Sequence, residues 1–229
     1  MEIVRPFIRA ASPKDALRFL FKLDNQLYSL QGQTSIRYND GLHTKHRHIN
    51  YHQFFIDHIS PGEAVLDIGS GNGFLTHDMA TRIEGIKVTG IEINEAKYKY
   101  ALENFRSENL QFIHGDALSD LPNEHFAVVT LSNVLEHIEF RTKFLKKILE
   151  KIEPQKLILR VPMFERDWRV PLKKELGIDY RLDNNHFIEY TEEEFYTELH
   201  ETGLKPIITE FRWSEIWCVA EPEKHKLEG

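Results

Sequence analysis

Short apolar runs alternate with amphipathic segments along most of this chain. Apolar runs of four to eight residues between turn-forming residues are typical of buried β-strands, and apolar residues spaced three and four apart are typical of helices. Strands that alternate with helices favour a parallel sheet. On this basis we predict strands at 64–68, 86–92, 110–117, 125–131, 156–162, 206–211 and 215–220.

Capping residues mark several of the predicted helices. Ser12-Pro13 is typical of an N-cap followed by proline in the first turn, and Asn94 is a second candidate N-cap. Thr191 and Glu194 form a capping box for a helix that should end at Gly203. We predict helices at 12–31, in the second half of 43–56, at 74–82, after Asn94, at 138–152 and at 191–203, with a loop at 38–44.

Three alternating glycines follow the first predicted strand. Gly69, Gly71 and Gly73 lie between that strand and a helix that begins near Phe74. Strand, glycine turn and helix are the parts of a nucleotide-binding unit, because glycine allows close approach of the backbone and a helix N-terminus offers unpaired N–H groups. Glycine clusters also occur in turns that bind nothing.

The spacing separates this loop from a dinucleotide fingerprint. A dinucleotide site has the pattern G-x-G-x-x-G, whereas this chain has G-x-G-x-G with Asp67 two residues before the first glycine. A carboxylate at that position would repel a pyrophosphate, but it suits a ligand that carries ammonium and sulfonium charge. This favours such a ligand over a nicotinamide dinucleotide.

Two segments resemble known motifs. Residues 67–73 resemble the first motif of class I S-adenosylmethionine-dependent methyltransferases, and residues 132–139 resemble the fourth motif of their small-molecule branch, the type 11/12-like methyltransferases. The resemblance covers residues 60–220. It implies an α/β fold with a Rossmann-like, doubly wound, seven-stranded sheet, mostly parallel with the last strand antiparallel. The fourth motif is not Asn-Pro-Pro-Tyr, which disfavours methylation of DNA bases or glutamine.

The resemblance implies an S-adenosylmethionine site. Glu92, at the end of the second strand, would accept hydrogen bonds from the ribose hydroxyls, although carboxylates there are often only solvated. Asp116 would bind the adenine amino group, with Ala117 against the ring, although Asp116 also suits an Asx turn. The predicted cofactor-binding residues are Asp67, Gly69, Ser70, Gly71, Asn72, Gly73, Glu92, Ile93, Asp116, Ala117 and Asn133.

Histidines are the candidate catalytic groups. Transfer to a hydroxyl needs a base near its proton, and His137 is the first candidate because it follows the end of the fourth strand. His186, just before the last helix, is the second; the alternative for His137 is a packed or solvated ring. The predicted substrate-binding residues are His46, His52, Trp168 and Tyr190.

A histidine-rich segment lies at 43–52. His48 and His52 are four residues apart and could share a helix face, as metal-binding pairs do. No cysteine is near and no carboxylate completes a known motif, so we predict no metal centre. The alternatives are a structural or pH-dependent cluster and, our preferred interpretation, a polar segment that covers the ligand pocket and contacts substrate.

Residues 163–185 interrupt the strand–helix alternation. Long segments between core elements are more often functional than idle, so we predict a substrate cap there. The predicted organisation is an N-terminal helical extension at 1–59 that covers the cofactor cleft, a methyltransferase core at 60–221 with an inserted cap at 162–190, and a tail at 222–229.

Composition narrows the choice of partners. The 229 residues include 29 Lys and Arg against 36 Asp and Glu, a net charge of −7, which argues against general nucleic-acid binding. Cys218 is the single cysteine, so neither an intrachain disulfide nor a cysteine-based zinc site is possible. No apolar run approaches the ~20 residues of a membrane span, and the N-terminus lacks a signal-peptide core, so we expect a cytoplasmic protein without membrane partners.

The predicted function is methyl transfer to a small-molecule or glycan-like acceptor, with oxygen preferred over nitrogen. Two alternatives remain open at this stage. One is a non-catalytic module that binds S-adenosylmethionine, and the other is an NAD(P)-dependent oxidoreductase. The sequence does not determine the acceptor or the oligomeric state.

Overall fold

The computed structural model describes residues 8–39 and 43–223. It divides the chain into two compact units. The smaller contains the described residues up to Asn50 together with Phe164–Asn184. The larger contains Tyr51–Met163 and the described residues from Asn185 onward.

A seven-stranded sheet forms the centre of the larger unit. The strand order is β3-β2-β1-β4-β5-β7-β6, and β7 runs antiparallel to both of its neighbours, β5 and β6, while the other pairs are parallel. All seven predicted strands are present, and the predicted sheet with its antiparallel last strand is confirmed. The strands are β1 Ala64–Ile68, β2 Lys87–Glu92, β3 Leu110–His114, β4 Val128–Ser132, β5 Lys156–Pro162, β6 Leu204–Arg212 and β7 Glu215–Pro222.

Helices connect the strands. The main helices of the described chain are α1 Pro13–Tyr38, α2 Lys45–Ile49, α3 Tyr51–Asp57, α4 Phe74–Arg82, α5 Glu95–Asn104, α6 Arg141–Ile152, α7 Arg169–Glu175 and α8 Glu192–Thr202. Short 3-10 turns lie at Leu135–His137 and Phe164–Arg166. The predicted caps at Ser12, Asn94 and Thr191 are all formed.

The core of the larger unit lies between the sheet and its flanking helices. Strands β4 and β5 are buried almost throughout, because both faces of a parallel sheet are covered. Helix α6 presents Phe144, Leu145 and Ile148 to this core. Its lysines lie largely on the opposite face, which explains the strongly amphipathic pattern of that segment.

Helix α1 continues past the predicted end at residue 31. Gly32 lies inside the helix and does not adopt the left-handed conformation that ends many helices. The Thr34 hydroxyl donates to the Leu30 carbonyl 2.7 Å away, as helical threonines do. The helix ends at Tyr38, so the predicted loop begins later, and its residues 40–42 lie outside the described part of the chain.

The smaller unit joins the N-terminal extension to the inserted segment. Phe21 of α1 packs against Leu176 and Ile178, and the Lys173 ammonium donates to Asp24 at 2.9 Å. The two predicted additions, 1–59 and 162–190, therefore share one core. The smaller unit ends at Asn50 and takes Phe164–Asn184 from the inserted segment. The bounds predicted for the two additions stay a prediction.

His48 and His52 belong to different helices. Asn50 adopts a left-handed conformation with φ 50° and ends α2, and α3 begins at the next residue. The i, i+4 relation that a shared helix face requires is therefore broken, which corrects the predicted geometry of this pair.

Two further features concern the chain as a whole. Cys218 lies in β7, its thiol is buried, and burial raises its pKa to about 11. No helix within residues 8–39 or 43–223 is long and apolar enough to cross a membrane.

Candidate active site

The glycine loop after β1 is built from backbone in left-handed conformations. Gly69, Gly71 and Gly73 have φ of 69°, 58° and 83°. A Cβ at Gly69 would lie 2.7 Å from Val134 Cγ2, and one at Gly73 would lie 2.8 Å from Phe112 Cζ, so a side chain at either position would force its neighbours to move. A Cβ at Gly71 would meet nothing within 4 Å. The middle glycine therefore borders open space, as a ligand-binding backbone should.

Glu92 ties this loop to the end of β2. One carboxylate oxygen accepts the Gly71 N–H at 2.7 Å, and the other accepts the Asn94 N–H at 2.7 Å. The Gly69 N–H also donates to the Ile91 carbonyl at 2.8 Å. The carboxylate is thus held beside the open glycine, where the predicted ribose contact requires it.

Asp67 is buried beneath the loop, with its side chain 2% exposed. Its two oxygens accept hydrogen bonds from the hydroxyls of Thr76, at 2.6 Å, and Thr130, at 2.7 Å. Burial raises the pKa of this carboxyl to about 6. Asp67 therefore fastens β1 to β4 and to α4, and its predicted contact with a cationic ligand stays a prediction.

The predicted adenine side lies at the end of β3. The Asp116 carboxylate accepts the Leu118 N–H at 2.8 Å, which is the Asx turn that the sequence left as an alternative. Ala117 packs against the main core, and Ile93 is exposed. The Asx turn orients Asp116, and its second carboxylate oxygen is the one that the predicted adenine contact would use.

The turn after β4 contains a strained residue. Asn133 has φ 56°, and its N–H donates to the Arg160 carbonyl at 2.8 Å. Its side-chain oxygen is buried and has no hydrogen-bond partner among the described residues, and the same is true of the Ser70 hydroxyl in the glycine loop. Buried polar atoms without partners are rare, and a catalytic role or a bound water or ion is a common reason for them. Both residues were predicted to bind the cofactor.

The structure brings the two predicted catalytic histidines together. The ring centroids of His137 and His186 are 4.7 Å apart, with the rings edge to face at 79°. The Phe187 N–H donates to the Glu136 carbonyl at 2.7 Å, which places the segment before α8 against the turn after β4. His186 is buried, and its Nδ1 lies 3.1 Å from the Glu189 carboxylate.

Glu136 joins this pair, and the sequence analysis did not assign it a role. Its side chain is 1% exposed, and its Oε2 has no hydrogen-bond partner among the described residues. Burial raises the pKa of Glu136 to about 8. One potential ligand atom each from Glu136, His137 and His186 all lie within 4.8 Å of one another. The direct adjacency of Glu136 to a candidate base was the signal in the sequence.

A buried ion pair supports the same turn. Arg160 of β5 makes two hydrogen bonds with the Glu215 carboxylate, at 2.6 and 2.7 Å, and a third with the Ser132 hydroxyl at 3.2 Å. Its guanidinium also lies 3.9 Å from the centre of the Tyr51 ring. Sequence reasoning missed this cluster, because its members are far apart in the chain.

The predicted substrate-binding residues are dispersed. Tyr190 lies in the core of the larger unit, where its hydroxyl donates to Glu198 at 2.6 Å. His52 bonds the Asp78 carboxylate at 2.7 Å, and that bond lowers the pKa of Asp78. His46 and Trp168 belong to the smaller unit, where Trp168 is 70% exposed. Their contact with substrate stays a prediction.

Comparison with known proteins places this geometry in context. The model of a family described as a methyltransferase domain matches residues 59–201. The mitochondrial ubiquinone biosynthesis O-methyltransferase of Schizosaccharomyces pombe is 36% identical over 97 residues, which are 41% of this chain and 35% of that protein. The ubiquinone biosynthesis O-methyltransferase of Idiomarina loihiensis is 35% identical over 97 residues, 41% of this chain and 39% of that protein. The chain thus matches well under half the length of these curated relatives.

Solved structures share the fold at low sequence identity. Magnesium protoporphyrin IX methyltransferase from Synechocystis, solved with bound SAH, superposes with a TM-score of 0.61 and 18% identity over 77% of this chain and 84% of that one. The [4+2]-cyclase SpnF superposes with a TM-score of 0.60 and 17% identity over 76% of this chain and 80% of that one. At such identities the likeness shows the fold alone.

Proposed function

This chain belongs to the methyltransferase-domain family, and from that premise we propose that it transfers a methyl group from S-adenosylmethionine to a hydroxyl oxygen of a small-molecule acceptor. The family match covers residues 59–201, which confirms the predicted methyltransferase and its S-adenosylmethionine cofactor. The acceptor and the roles of individual residues form the proposal.

The main support for the proposal is that the glycine loop packs against the turn that holds His137. Val134, against which Gly69 packs, lies three residues before His137. A cofactor whose backbone contacts are at Gly71 and whose ribose is held by Glu92 would therefore be bound beside the turn that holds the histidines. Donor and activating groups would then share one edge of the sheet, at the carboxyl ends of its strands, where α/β folds bind ligands.

The chemistry needs few protein groups. The acceptor oxygen attacks the methyl carbon in line, a C–O bond forms, the C–S bond breaks, and its electron pair stays on sulfur to leave a neutral thioether. The cofactor supplies the activated methyl group, so alignment provides much of the rate enhancement. The hydroxyl proton must be removed, and the sequence assigned this to His137 first and His186 second.

Two observations favour oxygen as the acceptor atom. The relatives that share about a third of the residues over the matched segment are named O-methyltransferases. The turn after β4 also has the sequence Ser132-Asn133-Val134-Leu135 in place of Asn-Pro-Pro-Tyr, the pattern used for planar amino groups. An oxygen nucleophile requires deprotonation, and the histidine pair provides a place for it.

Binding and turnover test the proposal separately. Calorimetric titration should show binding of S-adenosylmethionine and none of NAD. Glu92→Gln should weaken cofactor binding by at least about tenfold, since hydrogen bonds to a charged group contribute about 1.5–3 kcal/mol. Glu103→Gln, at an exposed position of α5, is the matched control and should bind as the wild type does.

Turnover is then measured with a cofactor labelled at the methyl group and a panel of phenols, sugar alcohols, carboxylic acids and amines. Label should appear on hydroxyl compounds. Transfer only to amines would contradict O-methylation, and equal cofactor affinity in Glu92→Gln and wild type would contradict the ribose assignment.

A further inference from the structure

We propose that Glu136, His137 and His186 form a binding site for one divalent cation, with Zn²⁺ as its preferred ion. The sequence analysis predicted no metal centre, and it considered a different group of histidines. The site assigned here lies at the turn after β4. The role given below to the cation rests on the proposed function, whereas the binding of the cation does not.

The donor set is the first argument. Two imidazole nitrogens and one carboxylate oxygen lie within 4.8 Å of one another. Ligands at 2.0–2.2 Å from one tetrahedral cation lie about 3.3–3.6 Å apart, so binding requires these groups to move together by up to about 1.5 Å. His137 is exposed and can adjust, while the backbone bond between Phe187 and Glu136 holds the other two ligands in register.

The second argument is the state of the Glu136 carboxyl. It is buried, and its Oε2 lacks a hydrogen-bond partner among the described residues. Removing a carboxyl from water without a partner is costly, and such groups persist where a ligand completes them. A cation between Glu136 and the two histidines would supply the missing partner.

The third argument is the support behind His186. Its Nδ1 lies 3.1 Å from Glu189, and the Glu189 carboxylate is fully buried. A metal-bound histidine usually directs its other ring nitrogen at a carboxylate, which fixes the ring and makes the coordinating nitrogen more basic. With Nδ1 directed at Glu189, Nε2 is the nitrogen that coordinates the cation in this proposal.

The choice of ion follows from the ligands. Imidazole suits Zn²⁺ and its transition-series neighbours, whereas Mg²⁺ and Ca²⁺ prefer sites made of oxygen alone. Three protein ligands leave a coordination position open, which is the arrangement of a reactive rather than a purely structural site.

The open position is suited to the acceptor's hydroxyl. A cation lowers the pKa of a bound hydroxyl, so its proton passes to solvent water and the oxygen remains on the metal as an alkoxide or phenolate. That oxygen then forms the bond to the methyl carbon while the C–S bond breaks and its electron pair goes to sulfur. In this arrangement the histidines act through the cation and not as free bases.

Direct metal binding is the primary test. Protein without an affinity tag is treated with a chelator, dialysed, and titrated with ZnCl₂ and separately with MgCl₂ by calorimetry. We expect one Zn²⁺ per chain and much weaker Mg²⁺ binding. Glu136→Gln and His137→Gln should each reduce Zn²⁺ affinity by at least about tenfold, the lower bound for losing a group of a metal site.

The matched control is His200→Gln. His200 is exposed in the last turn of α8 and lies outside the cluster, so this variant should bind Zn²⁺ as the wild type does. Far-ultraviolet circular dichroism shows whether each variant is folded. Visible absorption of the Co²⁺-loaded protein is a second measurement, and its bands should be lost in His137→Gln, whose exposed position tolerates the change.

The outcomes separate the two proposals. Wild-type protein that binds no Zn²⁺, or binds it equally well after His137→Gln and Glu136→Gln, overturns the metal site and leaves the proposed function in place. Protein that binds Zn²⁺ at these residues but transfers no methyl group to hydroxyl compounds supports the site and overturns the proposed function. Full turnover in the chelated protein overturns the role of the cation.

Discussion

The loop after β1 and the turn after β4 lie in contact, yet the loop offers mainly backbone groups and the turn offers mainly side chains. The loop uses backbone: three glycines in left-handed conformations, with N–H groups bonded to β2 and to Glu92. The turn uses side chains: the buried Glu136 carboxyl, His137, and Asn133, which adopts a left-handed conformation despite its side chain. His186 meets this turn from the segment before α8.

The two segments also differ in how many of their polar groups find hydrogen-bond partners within the protein. The backbone hydrogen bonds of the loop are made within the protein and fix its shape before any cofactor arrives, although the Ser70 hydroxyl has no partner among the described residues. The turn keeps one Glu136 oxygen and the Asn133 side-chain oxygen without partners among the described residues. We infer that the loop is preorganised and that the turn reaches its most stable state only when it is occupied.

The largest expected effect comes from the ion pair behind the turn. Arg160→Met leaves the Glu215 carboxylate buried without its partner, and breaking such a pair costs about 3–5 kcal/mol. Arg212→Met is the control, because Arg212 pairs with Glu210 at an exposed position, and surface pairs contribute about 0–1 kcal/mol. Urea unfolding measures both, and similar losses in the two variants would show that the turn does not depend on this support.

A smaller effect is expected at Asp67, and it depends on pH. The folded carboxyl has a pKa of about 6 against an ordinary 3.8, so it binds its proton more tightly than the unfolded chain does. Its contribution to stability is therefore full below about pH 4 and is lost as the pH rises through about 6. The shift of about two units corresponds to about 3 kcal/mol.

Asp67→Asn removes this titration and keeps the shape of the side chain. Unfolding free energies of the two proteins, measured in urea between about pH 4.5 and pH 7.5, should show the wild type losing stability relative to the variant as the pH rises. A constant difference over that range would mean that Asp67 does not titrate in the folded protein.

The smallest effects distinguish two glycines of the cofactor region. A Cβ at Gly90 would lie 2.8 Å from Ser70 Cβ, so Gly90→Ala should cost about 1–3 kcal/mol of stability through overpacking. A Cβ at Gly71 would have no atom within 4 Å, so Gly71→Ala should lower the free energy of unfolding only through the left-handed backbone, by roughly 1 kcal/mol. Urea unfolding measures the loss of stability, and titration measures the loss of cofactor binding free energy. The binding loss should be the larger of the two in Gly71→Ala, and the stability loss should be the larger in Gly90→Ala.

The sheet and the loop could be predicted because their signals are local. Each strand contains a short apolar stretch, and the caps of α1, α5 and α8 lie within three residues of the groups that they satisfy. Gly32 shows the limit of this reasoning, because a glycine marks a helix end only when the surrounding contacts favour one.

The features that the sequence did not predict depend on contacts between distant residues. Thr130 donates to Asp67 across 63 positions, and Arg160 pairs with Glu215 across 55. The burial of Glu136 depends on the chain near residue 187 returning to its backbone. In α5 Ala101 is buried whereas the adjacent Leu102 is exposed, because the apolar character of a residue does not reveal which part of a helix the sheet covers.

The buried thiol of β7 can be used to measure how often the sheet opens. Cys218 is the single cysteine, its side chain has no exposed surface, and β7 lies between β5 and β6. A thiol reagent can react only after these strands separate, so the labelling rate in native buffer measures how often the sheet opens. Adding Zn²⁺ or S-adenosylmethionine during labelling would then show how much each ligand lowers the rate at which the sheet opens.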